Sequence, residues 1–174
     1  MDGRGQKSGG FVLWELAVVL AIVACLAAVA VPSLLKFYRE MALEYESECL
    51  LADLRRTQSL SRMVADKAWG YGQQETIEQK ASIRVEETYY VFRVKSYEGE
   101  TKRVHHYLPF VHVRRKDEPA GSGNRTISFL QNGGLDDIGR QMMTLVLYCD
   151  GWEKEGRKIM ISRAGRIRIK RMMR

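Results

Sequence analysis

Glu15 is a carboxylate at the mouth of an apolar run; from Leu16 to Leu35 nothing can ionise except the thiol of Cys25. A charge placed there is costly in hydrocarbon and calls for a cationic partner or for escape to the interface. At the other end, Gly151 to Arg174 carries nine Lys or Arg against two Glu, as large an excess as the +7 of the whole protein. Strand alternation puts Arg166, Arg168 and Lys170 on one face and Ile167, Ile169 and Arg171 on the other. Arg163 lies across the Gly165 turn from them, and Arg174 ends the tail. Such a row attracts a polyanion through phosphate contacts that ignore base sequence. No aromatic residue is interleaved, so stacking on single strands has no support there. Two other readings account for the same residues: a solvated basic edge strand that prevents edge-to-edge aggregation, and attraction to anionic headgroups.

The remaining titratable groups offer less. His105, His106 and His112 are the only histidines. The first two point to opposite faces of a strand, Pro109 separates His106 from His112, and no carboxylate stands at ligand spacing, so no metal is expected. Asp136 and Asp137, after Gly133-Gly134, mark a turn, and the alternating Asp/Asn of a calcium loop is absent. Arg114-Arg115-Lys116, followed at once by Asp117 and Glu118, reads as a solvated loop. No phosphate-binding glycine loop, nucleophile elbow or zinc spacing occurs, and neither catalysis nor a cofactor is expected. With Cys25 in the apolar run, Cys49 and Cys149 are the pair that could bridge helix to sheet in an oxidising compartment; two buried thiols are the alternative.

The elements that carry these groups follow from periodicity. The run from Leu16 suits one crossing of a hydrocarbon core about 30 Å thick. Lys36-Phe37-Tyr38-Arg39 then forms a belt of aromatics and cations suited to a membrane edge. Met41, Leu43, Tyr45, Leu50, Leu51, Leu54, Leu60, Met63 and Val64 recur at three-to-four spacing, with Leu50, Leu51 and Leu54 facing a sheet and Glu44, Glu46, Glu48 and Arg55 facing water. One helix from Val12 to Ala68 is expected, stopped by Gly70 and Gly72. Pro32 should kink or locally melt it. Beyond Gly72 the texture is of strands: Ser82 to Val85, Tyr89 to Lys95, Lys102 to Leu108, Phe110 to Val113, Thr126 to Leu130, Met142 to Cys149, Lys158 to Ser162 and Arg166 to Lys170. Glu98-Gly99-Glu100 reads as a hairpin turn, and Asp117 to Asn124 as a loop. The expected class is α+β, an antiparallel sheet packed on a long helix, with no internal repeat and no second globular domain.

Gly9-Gly10-Phe11-Val12-Leu13-Trp14-Glu15, leading into the apolar run, resembles the start of type IV pilins and pseudopilins. Ile127-Ser128-Phe129-Leu130-Gln131-Asn132-Gly133-Gly134 and the closing Ile159 to Ile169, with its Gly165-Arg166 turn, resemble the GspH/FimT group of minor pilins and pseudopilins. The resemblance covers both ends of the chain; residues 69–124 offer nothing to align. It implies a leader, residues 1–10, removed by a prepilin peptidase between Gly10 and Phe11, and N-methylation of Phe11. It implies further that Glu15 pairs with the Phe11 amine of a neighbouring subunit, and Pro32 falls at a position that recurs in the family. Residues 11–35 would then be the transmembrane half of the helix, 36–68 its amphipathic half, and 69–174 a β-rich extracytoplasmic domain. The implied partners are other major and minor pilins or pseudopilins and an inner-membrane assembly platform. The implied role is that of a minor subunit of a type II secretion, type IV pilus or competence machine. Some FimT-type members take up DNA through a C-terminal Gly-Arg-x-Arg segment, matched by Gly165, Arg166 and Arg168, so double-stranded DNA is an alternative partner. A different class stays open: an exported soluble β-rich protein cut at Ala28-Val29-Ala30.

Overall fold

The computed structural model describes residues 9–68, 81–96, 99–116, 126–136, 142–152 and 154–172. One helix, α1, spans Gly9–Ala68 and passes through two compact units, Met1–Glu40 and Met41–Arg174. It begins earlier than the expected Val12, because Gly9 and Gly10 join the first turn instead of ending before it. The glycines expected to stop it, Gly70 and Gly72, lie outside the described residues.

In the first unit every side chain from Leu13 to Tyr38 is exposed, Leu and Val included. Pro32 lies inside the helix. A proline has no N–H to donate and its ring opposes the preceding turn, yet α1 runs on through it. The segment is long and apolar enough to cross a membrane. An apolar surface of this length with no protein against it is what a bilayer or neighbouring helices would cover.

The second unit holds eight strands: β1 (Ala81–Val85), β2 (Tyr89–Ser96), β3 (Gly99–His106), β4 (Val111–Arg115), β5 (Thr126–Ser128), β6 (Met142–Cys149), β7 (Arg157–Ser162) and β8 (Ile167–Arg171). They form not one sheet but two of four strands, ordered β3-β2-β1-β5 and β4-β6-β7-β8, with every pairing antiparallel. The division falls at Pro109. Read linearly, Phe110 to Val113 resumes the strand before the proline. In three dimensions Pro109 and Phe110 form a turn, closed by Val111 N–H donating to Leu108 O at 2.8 Å, and the chain crosses into the second sheet.

The second half of α1 packs into both sheets. Leu43, Leu50 and Leu54 share one core with Ile83, Tyr90 and Phe92 of the first sheet and Leu145, Leu147, Ile159 and Ile161 of the second. Leu50 and Leu54 are wholly enclosed, each contributing about 1.5–3 kcal/mol of transfer free energy. The inward residues of β1 and β4 alternate with outward ones, as period-two patterning requires.

Candidate functional site

Two carboxylates expected in water or left unassigned are buried on α1. Glu46, placed with the solvent face by its charge, is 2% exposed, and Asp53 is 7% exposed. They stand two helical turns apart on the face that carries Leu50 and Leu54. Both meet β3. His105 Nε2 lies 2.8 Å from Glu46 Oε2, and Leu108 N–H donates to Glu46 Oε1 at 3.1 Å. Arg103 donates to Asp53, whose other oxygen accepts the Tyr90 hydroxyl at 2.7 Å. Arg103 and His105 are two apart on β3, so both point to the helix side of the sheet, and each finds one of the acids. The Tyr90 ring stacks on His105 with centroids 4.9 Å apart. Burial, and then the bond to Asp53, push the Tyr90 phenol well above the usual tyrosine range; burial does the same to Tyr107. The hydrogen bond it donates to Asp53 holds the Arg103 guanidinium still more firmly protonated. An acid pair spaced by seven on an apolar helix stripe, facing an arginine and a histidine spaced by two on a strand, is the signal that could have revealed this seam.

The other histidines also serve packing. His106 faces away from α1 beside Tyr89, and His112 Nε2 lies 2.9 Å from Asp150 Oδ1. Among the described residues no three His, Cys, Asp or Glu come together to hold a metal ion. Arg114 and Arg115 are not in a loop but in β4. Arg115 is buried, and Arg114 lies over the Tyr148 ring at 5.1 Å, because strand pairing with β6 turns successive residues to opposite faces. Cys49 is half-buried and Cys149 fully buried; the structure holds both as thiols, not as a disulfide.

The basic strand is as the alternation predicts on one side. Arg166, Arg168 and Lys170 are exposed, as are Arg163 in the turn and Arg171, while Ile167 and Ile169 pack partly against the core. β8 is an edge strand paired only with β7, where Lys170 stands opposite Lys158 and Arg168 opposite Met160. Arg174 lies outside the described residues. The turn before β8 is anchored from the helix: Gln58 Nε2 donates to Gly133 O at 2.6 Å and to Gly165 O at 2.7 Å.

No protein-family model matches the chain, and no curated protein sequence matches it significantly. Solved structures do. Two crystal forms of the type IV minor pilin FimU of Pseudomonas aeruginosa superpose with TM-scores of 0.51 and 0.54, at 19% and 18% identity. The matches cover 74% and 77% of this chain and 92% of each FimU chain. The chain has the type IV pilin fold. At this identity the likeness is one of architecture: a long N-terminal helix with antiparallel sheets packed on its second half. In this pilin fold Gly10, Phe11, Glu15 and Pro32 all belong to α1, with Glu15 exposed. Ala28 to Ala30 also lie within α1, unbroken on either side.

Proposed function

We propose that the chain is a minor pilin-like subunit, inserted in the cytoplasmic membrane as a precursor and assembled through α1 into a pilus or pseudopilus, or its tip. The observation that carries this is a pilin-fold domain whose helix continues into an uncovered apolar segment headed by Gly10-Phe11 and Glu15. A prepilin peptidase cuts between Gly10 and Phe11 and N-methylates Phe11. The new ammonium lies near the membrane surface, where the lower dielectric strengthens its attraction to the Glu15 carboxylate of a neighbour. That pairing sets the axial register between subunits, the uncharged segment packs among their helices, and the domain stays on the extracytoplasmic side. Its partners are other pilins or pseudopilins and an inner-membrane platform; the machine is a type II secretion, type IV pilus or competence apparatus. The protein's work is packing and recognition.

Mass spectrometry of the mature protein tests this. A chain beginning at methylated Phe11 is expected. One beginning at Val31 overturns the proposal in favour of an exported soluble protein. A null strain should lose filaments, and normal filament numbers would remove the assembly role.

A second reading, DNA capture, is favoured by one observation. Arg166, Arg168 and Lys170 are exposed on an edge strand, and none meets a carboxylate among the described residues. Duplex DNA is the polyanion to test, with Arg166→Gln/Arg168→Gln expected to weaken binding and to flatten its salt dependence. Wild-type binding that this variant retains would remove the reading.

A further inference from the structure

Several cations of the domain, the exposed Arg84 and Lys102 among them, answer a carboxylate. Arg84 Nε lies 2.6 Å from Glu86, Lys102 Nζ 3.3 Å from Glu100, and Arg157 3.0 Å from Glu44. Arg62, Arg163, Arg166 and Arg168 are also exposed, but among the described residues none of the four meets one. They come from three pieces of chain: α1, the β7–β8 turn and β8.

The glycine turns bring them to one place. Gln58, one helical turn before Arg62, donates to the carbonyls of Gly133 and Gly165. The Arg62 guanidinium lies against Gly133, where an added β-carbon would overlap Nε and one terminal nitrogen. Gly165 packs on the carbonyl of the same Gly133, and Leu135 N–H donates to Arg163 O at 3.0 Å. Arg62 and the Arg163–Arg166 turn therefore share one backbone neighbour. Along α1, Gln58 lies about 21 Å beyond Glu44 at 1.5 Å of rise per residue. Since Glu44 meets Arg157 at the start of β7, the arginines gather at the end of the domain opposite to where it begins at Met41.

We infer that Arg62 completes a composite site with Arg163, Arg166 and Arg168, and that this site grips the phosphate backbone of duplex DNA. The inference rests on the DNA-capture reading and adds to it a contact from the helix, outside the C-terminal tail. Four guanidinium groups that meet no carboxylate among the described residues reinforce one another's potential. Their planar forks match phosphate oxygens two at a time. The clamp from Gln58 fixes the helix against the turn, so the helical and tail arginines present to the ligand as one rigid surface.

The test uses the full chain in nanodiscs of phosphatidylcholine, which brings no anionic headgroups, titrated against a short labelled duplex at several salt concentrations. Arg62→Gln should weaken binding about fivefold and reduce the salt slope by about 0.9, the value for one lost phosphate contact. Arg84→Gln removes an equal charge from an exposed ion pair and should change neither. Thermal unfolding of both variants should match the wild type, since both side chains are exposed. If Arg62→Gln behaves like Arg84→Gln while Arg166→Gln/Arg168→Gln loses affinity, the helix contribution is wrong and the tail reading stands. If the wild type ignores duplex, or prefers phosphatidylglycerol vesicles to it, the reading and the inference both fall.

Discussion

The carbonyl oxygen of Gly133 occupies the space that a β-carbon on Gly165 would need. Gly165 also has φ of +77°, a conformation that L side chains adopt only at a cost. Close packing and backbone geometry each demand glycine here, and Gln58 bonds the carbonyls of both residues. The glycine of the Gly-Arg-x-Arg segment is thus explained by folding. Whatever that segment says about DNA is said by its arginines.

Gly165→Ala should therefore destabilise the domain by about 3 kcal/mol or more, from positive φ and overlap with backbone that cannot swing away. Gly151→Ala is the control: its φ is +71°, but nothing stands near its β-carbon position, and about 1–2 kcal/mol is expected. Urea unfolding of the two variants gives the order, and equal losses would show that the Gly133 contact does not matter.

Tyr90 and Tyr107 separate a satisfied phenol from an unsatisfied one. Tyr90 donates to Asp53, whereas the Tyr107 hydroxyl is buried with no partner among the described residues. Tyr90→Phe should cost about 1–2 kcal/mol, and Tyr107→Phe should be neutral or slightly stabilising. A clear loss from Tyr107→Phe would point to a partner for that hydroxyl.

Both phenols are held above the ordinary value of 10.0 in the folded state. Below pH 10 they are neutral whether folded or not, so their contribution to stability is complete. As pH rises past 10 the unfolded chain releases the protons first, and stability falls. Tyr90→Phe should make this alkaline loss shallower. A slope equal to that of the wild type in chemical unfolding from pH 9 to 11 would contradict the assignment.

Glu46→Ala should destabilise by about 2–4 kcal/mol, because it strips the Leu108 N–H and the His105 ring of their acceptor beneath the sheet. Glu46→Gln keeps an oxygen for Leu108 and should cost less. Equal losses would mean that the charge, not the acceptor, is what β3 requires.

Cys149 is wholly enclosed and Cys49 half-exposed. A maleimide should therefore label Cys49 slowly in the folded domain and Cys149 only after unfolding. Resistance of both to labelling in denaturant without reductant would reveal a bridge in the native protein.

Much of this architecture was legible in the chain because it depends on local pattern. The apolar run, the three-to-four spacing of Leu43, Leu50 and Leu54, and the alternation through Met142 to Cys149 and Arg166 to Lys170 each specify an element over a few residues. Those strand bounds agree closely with the structure, as does the exposure of Arg166, Arg168 and Lys170. Linear pattern misplaces Glu46 and Arg115 for one reason: it takes a charge as a sign of water. Glu46 is held inside by two hydrogen bonds from residues distant in sequence, and Arg115 by the parity of β4 against β6.

By itself the sequence determined the helix, the strands, the exposed apolar segment and the basic edge, since periodicity and composition act over neighbouring residues. Only the tertiary structure decided that Pro109 hands the chain from one sheet to another. It alone seated the acids Glu46 and Asp53 beneath β3, and it alone set Arg62 of the helix beside a turn near the end of the chain. Such relationships are fixed by packing and by hydrogen bonds between distant residues, which no local pattern records.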